Sequence, residues 1–235
     1  MTPQDNAVLA RLDDASFARL APFLELIKLR SGQLLHDAGE PVRYLYFPAG
    51  AVVGLRCELD SGEWADFGML DRLLCGPLHV LVGDTSITSA VVRHAGPCYR
   101  LPISVFKSEM RHSDSIFNEV MRTFRNTVHQ MGLMSVCLRK HPIENMVAAW
   151  LLISTVVTRS GLLRVTHRDI AQSLGVRREA VSMTLKKYAS HALIEQARGN
   201  IHVANPEGLK RWSCTCYGQW VQCMSSELPT RLLAP

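Results

Sequence analysis

Gly175 constrains this chain more than any other single residue. It separates two segments whose apolar side chains recur with a helical period: Ile170, Ala171 and Leu174 before it, Val181, Leu185 and Tyr188 after it. A helix that reaches this glycine stops there, because glycine takes up the positive φ that closes a helix without steric cost. A second helix then starts almost at once, from about Arg177 to Ser190. Two helices joined so tightly cross at a steep angle, which Ala171 permits by being small and Val181 stabilises by packing in the angle. Thr184 departs from this pattern, since an aliphatic side chain is more usual there. The first helix begins at Thr166-His167-Arg168-Asp169, where the threonine hydroxyl can accept from the backbone N–H three residues on and Asp169 can reach back. Beyond Leu193-Ile194, the turn Arg198-Gly199-Asn200 lies between two short strand-like runs and reads as a wing.

The second helix leaves Arg178, Glu179, Ser182, Met183 and Lys186 on the face opposite its apolar one. A face of this composition suits the DNA major groove: an arginine fork matches guanine O6 and N7, and a carboxylate accepts from cytosine N4. Charge agrees. Residues 1–140 carry 15 Lys/Arg against 15 Asp/Glu, while residues 141–235 carry 11 against 6, so the excess of +5 lies at the polyanion-binding end. The expected partner is double-stranded DNA.

The preceding 140 residues follow two other rhythms. From Leu26 to Leu101 short apolar runs such as Tyr44–Phe47, Ala51–Leu55 and Ala90–Val92 alternate with turn residues, the mark of a sandwich or barrel; Gly32, Gly39 with Pro41, Gly50, and Gly96 with Pro97 mark its corners. From Ser113 the period becomes helical. Phe117, Phe124, Met131 and Leu138 recur every seven residues, and Val120, Thr127 and Met134 fall three beyond the first three. This seam fits a helix pairing with another copy, and periodicity alone fits equally a helix laid on its own domain. The helix ends at His141-Pro142, and a new apolar helix follows from Ile143 to Thr158. That helix is too short to span a bilayer, and no basic stretch with an apolar run and cleavage site opens the chain, so a cytoplasmic protein without a membrane partner is expected. Seven cysteines at irregular spacing fit a reducing compartment.

Val165–Ala171 followed by Gly175–Ser182 resembles the helix-turn-helix of CRP/FNR regulators. Gly39-Glu40-Pro41 followed by Tyr44–Phe47 resembles their β-roll. The resemblance implies an α+β chain in three parts: a cyclic-nucleotide-binding-like β-roll (a double-stranded β-helix) over 1–112, a dimerisation helix over 113–140, and a winged helix-turn-helix with a cysteine-bearing tail over 141–235. It further implies a homodimeric, non-enzymatic transcription regulator on near-palindromic DNA, with RNA polymerase as a further partner. Arg178 and Glu179 become the principal base readers, with Ser182 and Met183 beside them. Met183 stands where the cyclic-AMP-responsive type has an arginine, so the operator is expected to differ. Thr166, His167, Arg177, Lys186 and Arg198 become phosphate contacts, and Phe117, Val120, Phe124, Thr127, Met131, Met134 and Leu138 the dimer interface.

The resemblance also marks what is missing. Where that fold holds a cyclic phosphate with Gly-Glu and then an arginine followed by Ser/Thr-Ala, this chain has Asp71-Arg72 and Thr88-Ser89-Ala90, so cyclic AMP is not expected. No cysteine precedes Cys57, which excludes the N-terminal iron–sulfur arrangement, and Cys75 with His79 is too common a spacing to indicate haem. Buried structural roles are expected for Cys57, Cys75, Cys98 and Cys137. Cys214, Cys216 and Cys223, three thiols within ten residues, could take a metal or form a redox disulfide, yet a four-ligand zinc site needs another ligand from elsewhere; reduced thiols are favoured and no metal site is assigned. The effector stays open. The alternative reading is a small-molecule or redox sensor whose C-terminal domain docks to a protein. No nucleophile–base motif, phosphate-binding glycine loop or metal-binding histidine pair supports an enzyme.

Overall fold

A computed structural model of the chain describes residues 2–81, 83 and 85–227. It divides into two compact units, one comprising residues up to Cys57 with Gly68–His129, the other Glu58–Phe67 with Gln130–Ser225.

The first unit opens with helices α1 (Ala7–Arg11) and α2 (Asp14–Leu20), capped by Asn6 and Asp13. Strands β1 (Glu25–Leu29), β2 (Leu34–His36), β3 (Tyr44–Pro48), β4 (Val52–Glu58) and β5 (Trp64–Asp71) follow, then helix α3 (Pro77–Leu81), strands β6 (Ser89–His94) and β7 (Gly96–Pro102) and helix α4 (Ile103–Met110). The strands form two sheets, in the orders β1-β7-β3 and β2-β6-β4-β5. From β1 to β4 consecutive strands thus alternate between the sheets, and only then do β4 and β5 pair directly as neighbours, giving the expected roll. The apolar run of β3 is buried along nearly its whole length, and Leu45, Phe47, Tyr99 and Leu101 meet Leu20, Phe106, Ile116 and Val120 in one core. Gly96 is needed for a close approach: a Cβ there would lie 2.5 Å from the Gly50 carbonyl. Gly96 begins β7 instead of forming a corner.

Helix α5 (Asp114–Lys140) is nucleated by Ser113, whose hydroxyl accepts from the Ile116 N–H at 3.2 Å, and it carries Asp114 in its first turn and Arg139 and Lys140 in its last, matching its dipole. Its sides differ. Ile116, Glu119, Val120, Thr123, Asn126, Thr127 and Gln130 are buried, with Glu119 held by Arg11 at 2.6 Å. Phe117, Met121, Val128, Met131 and Leu138 are exposed, with Phe124 half-buried, at intervals of four, three, four, three and seven. The inner side is laid on the chain's own core, the second of the two sequence alternatives, while the outer side leaves an apolar stripe exposed whose register differs from the one expected. Val120 and Thr127 are buried and unavailable to a partner, and their places on the outer stripe are taken by Met121 and Val128. Met134 is half-buried.

The second unit contains α6 (Ile143–Thr158), β8 (Leu162–Leu163), α7 (His167–Leu174), α8 (Arg178–Ser190), β9 (Ile194–Ala197), β10 (Asn200–Val203), α9 (Pro206–Lys210) and α10 (Thr215–Glu227). Helix α6 ends at Arg159, which adopts φ 51°. It carries Met146, Val147, Trp150 and Leu151 into a core shared with Ile170, Leu174, Val181, Leu185, Tyr188 and Ile201. The sheet order is β8-β10-β9. Among the described residues no helix is long and apolar enough to cross a membrane.

Candidate nucleic-acid interface

The helix pair is built as its residues dictate. Thr166 and Asp169 form the reciprocal cap: the Thr166 N–H donates to Asp169 Oδ2 at 2.8 Å and the Asp169 N–H to Thr166 Oγ1 at 3.2 Å. Gly175 sits at φ 63° and closes α7 through N–H bonds to the carbonyls of Ala171 and Gln172. Helix α8 is then anchored from beneath. Val181, Leu185 and Tyr188 are fully buried, and Thr184, buried too, turns its hydroxyl back to the Ala180 carbonyl at 2.9 Å. The Tyr188 hydroxyl donates to the Glu144 carbonyl, and Lys187 pairs with Glu144 at 2.9 Å while lying over the Trp212 ring. Behind α7, Trp150 Nε1 donates to Ser173 Oγ at 3.0 Å and Ser173 donates to Asp66 Oδ2 at 2.9 Å, a relay that satisfies three buried polar groups.

With its inner face fixed, α8 turns Arg178, Glu179, Met183 and Lys186 outward, Met183 being 73 % exposed. Ser182 is half-buried and donates to the Arg178 carbonyl at 3.0 Å. Arg177, just before the helix, is exposed. The starts of α7 and α8 and the β9–β10 wing enclose a shallow groove lined by Thr166, His167, Arg168, Arg178, Arg198 and Asn200. Four of the sequence-predicted residues thus meet around one concavity. Arg168 joins them unpredicted; its place beside His167 in the first turn of α7 was the available signal. No ion pair holds Arg168, Arg177, Arg178, Lys186 or Arg198 among the described residues. Unpaired cations around a groove are poised for an anionic backbone.

His167 is engaged differently from the phosphate contact expected of it. Its Nδ1 lies 2.9 Å from Ser182 Oγ and its Nε2 2.9 Å from Gln196 Oε1, while Gln196 Nε2 donates to the Leu185 carbonyl at 3.1 Å. Both ring nitrogens are occupied within the protein, so His167 is a strut tying the first turn of α7 to Ser182 of α8 and to Gln196 of β9. Gln196 is its unforeseen partner.

In the roll, Ser89, at the second of the two positions where the resemblance would place a cyclic phosphate, bonds within the protein. The Ser89 hydroxyl donates to the Asp37 carboxylate, which holds that carboxyl below its usual range, and Ser89 Oγ accepts from the Ala38 N–H at 3.3 Å. Arg72 is buried beside Asp71, 3.7 Å apart, with φ 57°. His79 packs edge-on to His36, their rings 5.0 Å apart, and its Nε2 is 3.3 Å from Ser86 Oγ. Cys75 and Cys98 are buried, and burial pushes the Cys98 thiol up to about 12 and Cys75 further in the same direction. Cys57, expected to be buried, is exposed at the end of β4.

Residues 147–212 match the family model of the Crp-like helix-turn-helix domain. Over 221 residues the chain is 21 % identical to the global nitrogen regulator of Synechococcus elongatus, covering 90 % of this chain and 99 % of that protein. A transcriptional regulator of the CRP/FNR family from Eubacterium rectale superposes with a TM-score of 0.68 at 17 % identity, over 87 % of this chain and 96 % of its own. A CRP-family regulator from Thermus thermophilus gives the same score at 18 % identity, over 80 % and 96 %.

Proposed function

We propose that the chain is a regulator of the CRP/FNR type, carrying a Crp-like helix-turn-helix domain over residues 147–212 within a fold shared with that family, and that it binds DNA sequence-specifically as a homodimer. The observation that carries this reading is the outward face of α8, where Arg178, Glu179 and Met183 stand exposed on a helix buried along its other side. Arg178 and Glu179 read base edges, with Ser182 and Met183 flanking them. Arg177, Lys186, Arg198 and Arg168 meet phosphates, which set register rather than sequence.

Two copies associate through the outer stripe of α5, and two recognition helices related by a twofold axis read a near-palindrome with half-site centres about 34 Å apart. The roll over 1–112 is the sensor, 113–140 the dimerisation helix and 141–235 the DNA-binding part. The protein acts in the cytoplasm by binding, not catalysis, and RNA polymerase is its further partner. Cyclic AMP is not its effector: no arginine stands among Thr88, Ser89 and Ala90, and the carboxylate of Asp37 at Ser89 repels a phosphate there.

The test is selection of genomic DNA fragments by the purified protein, followed by footprinting. Enrichment of a palindrome protected over two successive major grooves is expected. Recovery of fragments with no shared sequence refutes specific reading. A saturable calorimetric titration with cyclic AMP refutes its exclusion.

A further inference from the structure

Two stretches of sequence far apart in the chain bring four ligand-bearing side chains together in the second unit. Cys137 lies in the last turn of α5, His141 one helical turn beyond it, and Cys214 and Cys216 at the start of α10. The candidate ligand atoms of all four lie within 4.8 Å of one another. Cys137 Sγ is 3.5 Å from Cys214 Sγ, and Cys216 Sγ is 3.6 Å from His141 Nδ1. A tetrahedral ion bound at about 2.3 Å to sulfur and about 2.0 Å to nitrogen holds its ligand atoms about 3.5–3.8 Å apart. Two of the contacts already have that spacing, and the widest needs to close by only about 1 Å.

The surroundings fix the cluster. Cys137 packs against the helix-turn-helix core with Trp212 and Tyr217, and Asn145 Nδ2 donates to the Trp212 carbonyl at 2.7 Å, holding the segment that leads into Cys214. Cys214 is buried and the other two thiols are half-buried.

We propose that Cys137, His141, Cys214 and Cys216 bind a single zinc-class divalent ion in each protomer. Three thiolates and an imidazole are donors that select zinc over magnesium or calcium. Binding releases the three thiol protons to solvent and leaves the histidine neutral. All four positions come from protein, so no site remains open for substrate and the ion is structural. It closes a loop of nearly eighty residues, fastening the end of α5 to the start of α10 around the whole DNA-binding module. A multi-iron cluster is disfavoured because its ligands bind different irons and must stand farther apart. Cys223 lies outside the set.

The site does not depend on DNA binding, and its test does not use DNA. Full-length protein, expressed without a metal-binding tag and purified under reducing conditions, is assayed for metal and then reconstituted with cobalt(II) alone. One zinc per protomer is expected, together with the visible absorption of tetrahedral cobalt and a thiolate-to-cobalt charge-transfer band. Cys216→Ser is expected to lose stoichiometric metal, and Cys223→Ser to keep it. His141→Cys supplies a fourth thiolate and is expected to retain cobalt with a stronger charge-transfer band, a gain that misfolding does not produce. Folded, reduced wild-type protein that takes up no stoichiometric zinc or cobalt overturns the proposal. So does iron with equimolar sulfide, or a cobalt spectrum unchanged in Cys216→Ser.

Discussion

Met131→Glu tests whether the outer stripe of α5 is the dimer seam. In the protomer Phe117, Met121, Val128, Met131 and Leu138 are 44, 38, 50, 44 and 43 % exposed. Complete burial of such a side chain is worth about 1.5–3 kcal/mol, so covering the remaining surface yields about 1 kcal/mol at each position. Twofold symmetry counts each position twice, for a gross gain of about 10 kcal/mol against an association cost of about 4–15 kcal/mol. The seam is therefore decisive but not generous. Met131→Glu removes about 2 kcal/mol across the pair and places two facing carboxylates where water is excluded, at a further cost of at least about 2 kcal/mol. A total of about 4 kcal/mol weakens dimerisation roughly a thousandfold. Because Met131 is exposed in the protomer, the fold itself should survive, as circular dichroism would report. The assay is sedimentation equilibrium over a wide concentration range, with His129→Glu, an exposed neighbour outside the stripe, as control. A folded Met131→Glu protein that dimerises as tightly as the control refutes the seam.

Arg178→Ala should cost about 1–3 kcal/mol per half-site and relax preference at one base pair, whereas Lys186→Ala should weaken all sequences alike and lower the salt slope by about one per protomer; binding to a selected site and its single-base variants at two salt concentrations separates them. His167→Ala removes the strut between α7, Ser182 and Gln196, and should reduce discrimination between specific and random DNA while the salt slope stays unchanged; a parallel loss of slope would return the histidine to the phosphate contacts. His36 is buried with neither ring nitrogen hydrogen-bonded, and burial, aided by His79, pulls it down to about 4. Between that value and about 6.5 the unfolded chain binds the extra proton, so stability is complete above pH 6.5 and falls by up to about 3 kcal/mol as pH drops toward 4. Urea unfolding of His36→Leu should show that pH slope reduced by about one proton, and an unchanged slope would assign the acid sensitivity elsewhere.

The helix-turn-helix half was the most legible part of the chain because its signals are local. The Thr166–Asp169 cap, the positive φ at Gly175 and the Arg198-Gly199 turn each act within a few residues, and each formed as their chemistry requires. Helix α5 was only half legible. Phe117, Phe124, Met131 and Leu138 are compatible with a companion row on either side, and apolar Val120 drew the reading to the wrong one. Glu119, Thr123, Asn126 and Gln130 then line the buried face with polar groups that any hydrophobic pattern reads as solvated. The strut at His167 and the relay from Trp150 to Asp66 join residues far apart in sequence and leave no periodic trace. The cysteine–histidine cluster is the instructive omission. The tail showed three thiols without a fourth ligand, yet Cys137 and His141, four apart at a helix end, are spaced as two ligands on one face.

The divided allegiance of α5 also bears on abundance. On the proposed homodimer, a helix whose inner face is committed to its own fold and whose outer stripe pairs with a second copy makes pairing second-order in copy number. At scarcity, paired molecules, and with them the proposed occupancy of DNA, would grow as the square of the amount synthesised, until the dissociation constant is passed and the response becomes proportional. A gene for such a regulator is sensitive to its own dosage: halving its expression near that threshold silences more than half of what it controls. Changes along Met121, Val128 and Met131 would move the threshold without altering a single contact to DNA.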